Sequence, residues 1–126
     1  MIRHGSAELV QLAEAKLHGE MPDSARFHAV LEGLFDQPGG ERIDVIVNAC
    51  THFPLVEVEL AAAAPHPVTF VDGGPGIARR IAYLTEAQEW PDVPPPGIAV
   101  FTRLDDAAHA LAPALAGYGL SRLEAL

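Results

Sequence analysis

Cysteine is almost missing from these 126 residues: Cys50 is the only one. A single thiol excludes an internal disulfide framework and the usual multi-cysteine zinc site, and it suits a reducing compartment. Cations are scarce too. There are 8 Lys and Arg against 17 Asp and Glu, a formal charge of -9, which argues against nucleic acid or an anionic membrane face as partner. No run approaches the roughly 18 apolar residues of a membrane span. Met1-Ile2-Arg3-His4-Gly5 lacks the apolar centre of a secretion signal, so a soluble, cytoplasmic protein with no membrane partner is expected. Phosphate-cradling glycine patterns are also lacking: Asp72-Gly73-Gly74-Pro75-Gly76 has neither the G-x-G-x-x-G spacing nor a following Gly-Lys-Ser/Thr, and reads as a strand-to-helix turn. His4, His18, His28, His66 and His109 show no H-x-x-x-H or H-x-x-E-H spacing, so no metal or other cofactor is expected.

What is present suffices for a globular fold, with 49 % hydrophobic and 20 % charged residues. Ser6 followed by Leu9, Val10, Leu12, Ala13 and Leu17 predicts a helix ending near Gly19. Asp23-Ser24 opens a second, whose Phe27, Val30, Leu31 and Leu34 line one face before Pro38-Gly39-Gly40. Residues 43–49 form a β-branched run of the kind a strand covered on both faces requires. Pro54 then opens a helix through the alanines 61–64, Val68 to Val71 is a short strand, and a helix begins at Ile77 and runs to about Trp90. Beyond the proline-rich stretch 91–97 come strand 98–102, helix 105–116 and a last strand near 121–125. The order βαβαβαβ from residue 43 predicts an α/β fold, a mostly parallel sheet with helices on both faces. Two helices precede the first strand with no earlier strand to connect from, so the chain is expected to lack its beginning.

Cys50-Thr51-His52 falls beyond the carboxyl end of strand 43–49, where open α/β sheets do their chemistry. Thiolate is the reactive form of cysteine, and its pKa falls beside a helix N-terminus or an imidazolium. Cys50 is placed for the first effect, and His52, two positions on, is placed for the second. An inert buried cysteine and a hydrogen-bonded structural histidine are the competing readings. Arg79 and Arg80 read as a solvated helix face, one of them able to pair with Asp72.

Ala49-Cys50-Thr51-His52-Phe53-Pro54-Leu55, preceded by Ile43-Asp44-Val45-Ile46-Val47, resembles the second cysteine motif of the glutamate racemases. Gly5 to Glu14, Val71-Asp72-Gly73-Gly74, Ala78-Arg79-Arg80 and Phe101-Thr102 with Asp105 resemble further segments of the second half of that family. The resemblance implies cofactor-independent interconversion of L- and D-glutamate, supplying D-glutamate for peptidoglycan, by two cysteines that work on opposite faces of the α-carbon. Cys50 is then the second catalytic cysteine, and His52 its partner in proton handling. Thr51, His52 and Glu14 are the substrate-binding candidates. The Ala-Cys-Asn-Thr motif carrying the family's first cysteine has no counterpart here, so the chain alone should not racemise. Glutamate and a separate N-terminal half, or a homo-oligomer partner, are the implied partners.

The family fold implies that residues 1–90 form a segment of the second domain and 91–97 a linker. Residues 98–126 would be a strand-helix-strand unit that completes the missing N-terminal domain. Two readings compete with this one. One is a non-catalytic module of the same half-fold that binds an acidic amino acid or a partner; the other is a Cys/His nucleophilic hydrolase, which lacks an evident third, orienting residue.

Overall fold

The computed structural model describes residues 1–126. Helix α1 spans Ala7–Leu17, capped where the Ser6 hydroxyl accepts the Leu9 N–H at 3.0 Å. Its Leu9, Leu12 and Ala13 are buried, the i, i+3, i+4 stripe of a helix lying on a core. Helix α2, Ser24–Phe35, is capped by Asp23 accepting from Ala25 N–H at 2.9 Å and buries Phe27, Val30 and Leu31. It stops where Gly39 takes φ +90°, and a Cβ on the following Gly40 would stand 2.0 Å from the Phe35 carbonyl oxygen, so only glycine fits this reversal.

Strand β1, Val45–Asn48, follows a short 3-10 turn, Gly40–Arg42. A second 3-10 turn, Phe53–Val56, leads straight into α3, Glu57–Ala63. Strand β2, Thr69–Asp72, pairs with β1 in parallel, Val45 opposite Thr69 and Asn48 opposite Asp72. Then come α4 (Gly74–Leu84), β3 (Gly97–Phe101), α5 (Asp106–Ala110), α6 (Ala112–Gly117) and β4 (Leu120–Ala125). Strand β4 pairs in parallel with β3. The α/β architecture with parallel strands is thus as expected, distributed over two separate two-stranded sheets. No helix is long and apolar enough to cross a membrane.

The core is a helical layer. Leu9, Leu12 and Ala13 of α1, Phe27, Val30 and Leu31 of α2, and Val56, Leu60 and Ala63 around α3 form one cluster, and Ile46 of β1 and Phe70 of β2 pack against it. Strand side chains alternate between faces, so Val45, Val47 and Val71 point the other way and are exposed. The β-branched run expected to be covered on both faces is therefore covered on one. Only 12 of 126 residues are buried, fewer than a chain of this length needs for a full core.

Three helices differ from expectation, and the one expected to open at Pro54 winds as a 3-10 turn before becoming α-helical at Glu57. Helix α4 starts at Gly74 because the Asp72 carboxylate accepts the Gly74 N–H at 2.6 Å and Pro75 suits the first turn, and it ends at Leu84, not Trp90. The single helix expected over 105–116 is broken at Leu111: Pro113 has no N–H for the His109 carbonyl, and its ring clashes there, so α6 restarts with the proline in its first turn.

Candidate active site

Strand β1 ends at the buried Asn48, and the chain then turns sharply through residues 49–52. The Phe53 N–H donates to the Cys50 carbonyl at 3.2 Å and the Leu55 N–H to the His52 carbonyl at 3.0 Å, which winds the turn into the 3-10 segment. Pro54 sits in its first turn, where a missing N–H costs nothing. This winding brings Cys50 Sγ to 3.8 Å from His52 Nδ1. The far side of the imidazole, Nε2, lies 2.7 Å from Glu14 Oε1 on α1. Cys50 is half-buried, and the His52 and Glu14 side chains keep 33 % and 45 % of their surface exposed.

A carboxylate only accepts, so the His52–Glu14 contact places a proton on Nε2. In the neutral imidazole Nδ1 is then left as the acceptor that faces the thiol. The Cys50 thiol is held below its ordinary 9.0, first by the His52 backbone N–H directed at the sulfur, next by the His52 imidazole and more weakly by the Phe53 N–H, while burial opposes. The His52 imidazole is pushed above its ordinary 6.5, first by its hydrogen bond to Cys50 and then by that to Glu14, against burial. Both shifts narrow the gap between thiol and imidazole and so ease transfer of the sulfur's proton to Nδ1, toward a thiolate beside an imidazolium held by Glu14. Such a sulfur can take a proton from an acidic carbon and, as thiol, give one back. The same set has the form nucleophile, base, orienter, so the third residue that a Cys/His hydrolase lacks in the sequence is present here as Glu14.

The four candidates from the sequence thus gather at one turn. Cys50, His52 and Glu14 form a contiguous relay, and Thr51 lies between the first two with its side chain exposed. Arg79 and Arg80 stand apart from it: Asp72 caps α4 rather than pairing with either, and the Arg80 guanidinium lies 5.1 Å over the Tyr83 ring. Two supports escaped the sequence reading. Lys16 Nζ donates to the Leu55 carbonyl at 2.9 Å and pairs with Glu59 at 2.7 Å, and Asn48 Nδ2 reaches Glu57 Oε2 at 3.5 Å. Their partners lie 39, 43 and 9 residues away, beyond any local motif. No group of three or more His, Cys, Asp or Glu side chains is gathered as metal ligands would be.

No family model matches the chain. It is 50 % identical over 124 residues to the glutamate racemase of Sphingopyxis alaskensis, a match covering 98 % of this chain and 46 % of that protein. It is 42 % identical over 124 residues to the glutamate racemase of Salmonella typhimurium, covering 97 % of this chain and 43 % of that protein. Among solved structures it resembles Escherichia coli glutamate racemase in complex with L-glutamate and the activator UDP-MurNAc-Ala. That likeness has a TM-score of 0.81 and 40 % identity, over 97 % of this chain and 46 % of that one. The chain spans less than half the length of the curated relatives it matches.

Proposed function

From the premise that this chain is homologous to the C-terminal portion of the glutamate racemases, we propose that it carries one of the two acid/base stations of such an enzyme. The observation that carries this reading is the Cys50–His52–Glu14 relay. Cys50 as thiolate removes the α-proton from one enantiomer of glutamate, and as thiol it returns one in the reverse direction. His52, held by Glu14, receives the sulfur's proton and gives it back. The exposed Thr51, which follows Cys50 in the chain, offers its hydroxyl and backbone N–H to a glutamate carboxylate. The product of the whole enzyme is D-glutamate for peptidoglycan.

Inverting a carbon centre needs a second base on the opposite face, and this chain has no second cysteine. The second station therefore comes from polypeptide corresponding to the N-terminal half of the relatives. The surface of the chain supports such a partner. A groove of about 830 Å³ runs along the open edge of β1, walled by residues 43–49 and by Met1 to His4 and floored by Leu9, Val30, Leu31 and Leu60. Val45, Val47 and Val71 leave the adjoining sheet face bare. Unpaired strand edges and bare apolar faces are seldom left uncovered in parallel sheets.

The test is α-proton exchange of L- and D-glutamate in deuterated water, followed by NMR. The chain alone is expected to exchange at most one enantiomer without interconversion. Adding the N-terminal half of the Sphingopyxis relative is expected to produce interconversion, and Cys50→Ser to abolish both activities. Brisk interconversion by the chain alone would overturn the proposal. Glutamate binding that persists unchanged in Cys50→Ala, with no exchange under any condition, would replace it by a binding module.

A further inference from the structure

We propose that Lys16 is a positioning residue for the Cys50–His52–Glu14 relay, fixing helix α1 over the turn that carries Cys50. This rests on the reading of those three residues as the reactive set, but not on which substrate they act upon.

Helix α1 touches the turn through two polar side chains set to either side of its buried line. At about 100° per residue, Glu14 lies about 100° to one side of the wholly buried Ala13, and Lys16 about 60° to the other. Glu14 reaches His52 at 2.7 Å, while Lys16 reaches the Leu55 carbonyl at 2.9 Å and Glu59 at 2.7 Å. These are the hydrogen bonds that tie α1 to residues 50–63. The buried Leu9, Leu12 and Ala13 seat the helix on the core, and a polar tie on one flank alone leaves small rotations about that seat unopposed. Held on both flanks, it presents the Glu14 carboxylate at one distance from the imidazole.

The Lys16 contact also continues directly into the relay's backbone. The Leu55 carbonyl that accepts from Lys16 belongs to the residue whose N–H donates to the His52 carbonyl at 3.0 Å. Lys16 is thus linked through Leu55 to the backbone carbonyl of His52, while Glu14 meets the imidazole of the same residue. Glu59 holds the ammonium in place, and both side chains of that pair are about two-thirds buried, with 37 % and 31 % of their surface exposed. The charged groups on the elements packed around the turn are Glu8, Glu14 and Lys16 of α1 and Glu57 and Glu59 of α3, with Glu8 tied to Arg26 of α2. Lys16 is the cation among them, and it is engaged with Leu55 and Glu59 rather than with the sulfur. Its influence on Cys50 therefore runs through geometry.

Because Cys50 is the sole cysteine, alkylation of the chain by iodoacetamide reports on it alone. In Lys16→Met, which keeps the aliphatic stem, the pH-rate profile is expected to move upward and alkylation at pH 7 to slow about twofold to threefold, within the effect of losing the Glu14 contact itself. Lys16→Arg is expected to restore the wild-type profile, and Glu59→Gln, which leaves the Leu55 contact, to change it less than Lys16→Met. Combined with Glu14→Gln, Lys16→Met is expected to add little, since both act through one contact. A wild-type profile in a folded Lys16→Met chain would overturn the proposal. So would full additivity of the two substitutions, which would mark Lys16 as merely stabilising. Should Lys16→Met fail to fold, a Glu59→Gln chain with a profile shifted further than that of Glu14→Gln would overturn it equally. These outcomes stand whether or not glutamate proves to be the substrate, so they separate from failure of the exchange experiment.

Discussion

Glu14→Gln removes a charge from the relay while keeping a hydrogen-bonding group of the same size. The 2.7 Å contact with His52 Nε2 would be worth about 1.5–3 kcal/mol if it were buried and charge-assisted. With 33 % of His52 and 45 % of Glu14 exposed, solvent screening brings this into the range of exposed pairs, about 0.5–1 kcal/mol. At about 1.4 kcal/mol per decade, His52 then loses about twofold to fivefold in its preference for the imidazolium. Two effects on Cys50 oppose each other. A less cationic His52 stabilises the thiolate less, whereas loss of the Glu14 anion relieves a direct repulsion. Glu14 touches the imidazole at Nε2, the far side of the ring from the sulfur at Nδ1, so the direct repulsion acts at longer range and is screened by the surrounding water. The contribution through His52 wins. Iodoacetamide alkylation at pH 7 is expected to slow about twofold to fivefold in Glu14→Gln, with its pH midpoint moved up. An unchanged or faster rate would refute the claim that Glu14 acts on the sulfur through the histidine.

The raised His52 stabilises the fold fully below 6.5 and loses that contribution as pH rises through its folded value, whereas the lowered Cys50 contributes above 9.0 and loses it as pH falls through its folded value. The Tm difference between wild type and Cys50→Ala is therefore expected to be largest in the alkaline range and to shrink toward neutrality; a difference independent of pH would contradict the shift. Leu12→Ala, at a fully buried position in a small core, is expected to cost about 3–5 kcal/mol by denaturant unfolding, whereas Val47→Lys, 67 % exposed, changes stability by under about 0.5 kcal/mol yet blocks association with an N-terminal half in a pull-down. Asp105 accepts the Ala108 N–H at 3.0 Å and pairs with Arg103, and the first of these chiefly holds its carboxyl below 3.8. Asp105→Ala is expected to lower amide protection over residues 106–110, and in wild type that protection is expected to persist above 3.8 and fade as pH falls through the lowered value.

The starts of α1 and α2 were legible because their signals are local: a Ser6 or Asp23 side chain bonds to an N–H two or three residues on, and the apolar stripe follows at once. Helix ends were less so. The α4 stripe continues as far as Leu84, but the residues from Thr85 to Trp90 carry no stop as plain as Gly39-Gly40, and the expected boundary ran six residues too far. Periodicity alone also could not reveal that Pro113 splits the last helical segment, because the alanine-rich sequence around it satisfies a helix on either side. At the site, the two-residue spacing of Cys50 and His52 indicated that the imidazole could act on the thiol. The grip of α1 on the turn did not appear in any spacing, because Glu14 and Lys16 meet partners 38 and 39 residues away. Glu14 was reached through family resemblance, and Lys16 only through the structure. Nor could a β-branched run tell a strand covered on both faces from one covered on a single face.

Under the proposed function, the bare strand face and the single acid/base station share one cause. Strand β1 carries Cys50 just beyond its carboxyl end, and the groove along its open edge reaches Asn48, Ala49 and Phe53, the residues that flank the sulfur's turn. In the proposed assembly, polypeptide that fills the groove and covers Val45 and Val47 would reach the residues on either side of Cys50 and limit its access to water. That covering has a chemical consequence. A thiolate in open water is well solvated and a weak base toward carbon, whereas excluding water removes that solvation and leaves His52 and the backbone N–H groups as its stabilisers. In the free chain Cys50 should thus be readily alkylated yet poor at taking an α-proton. On association the two properties should invert together, alkylation falling and glutamate exchange rising over the same range of added N-terminal half. Protection of Cys50 at concentrations where no exchange appears would separate covering from catalysis, and would place the second station somewhere other than the polypeptide that fills the groove.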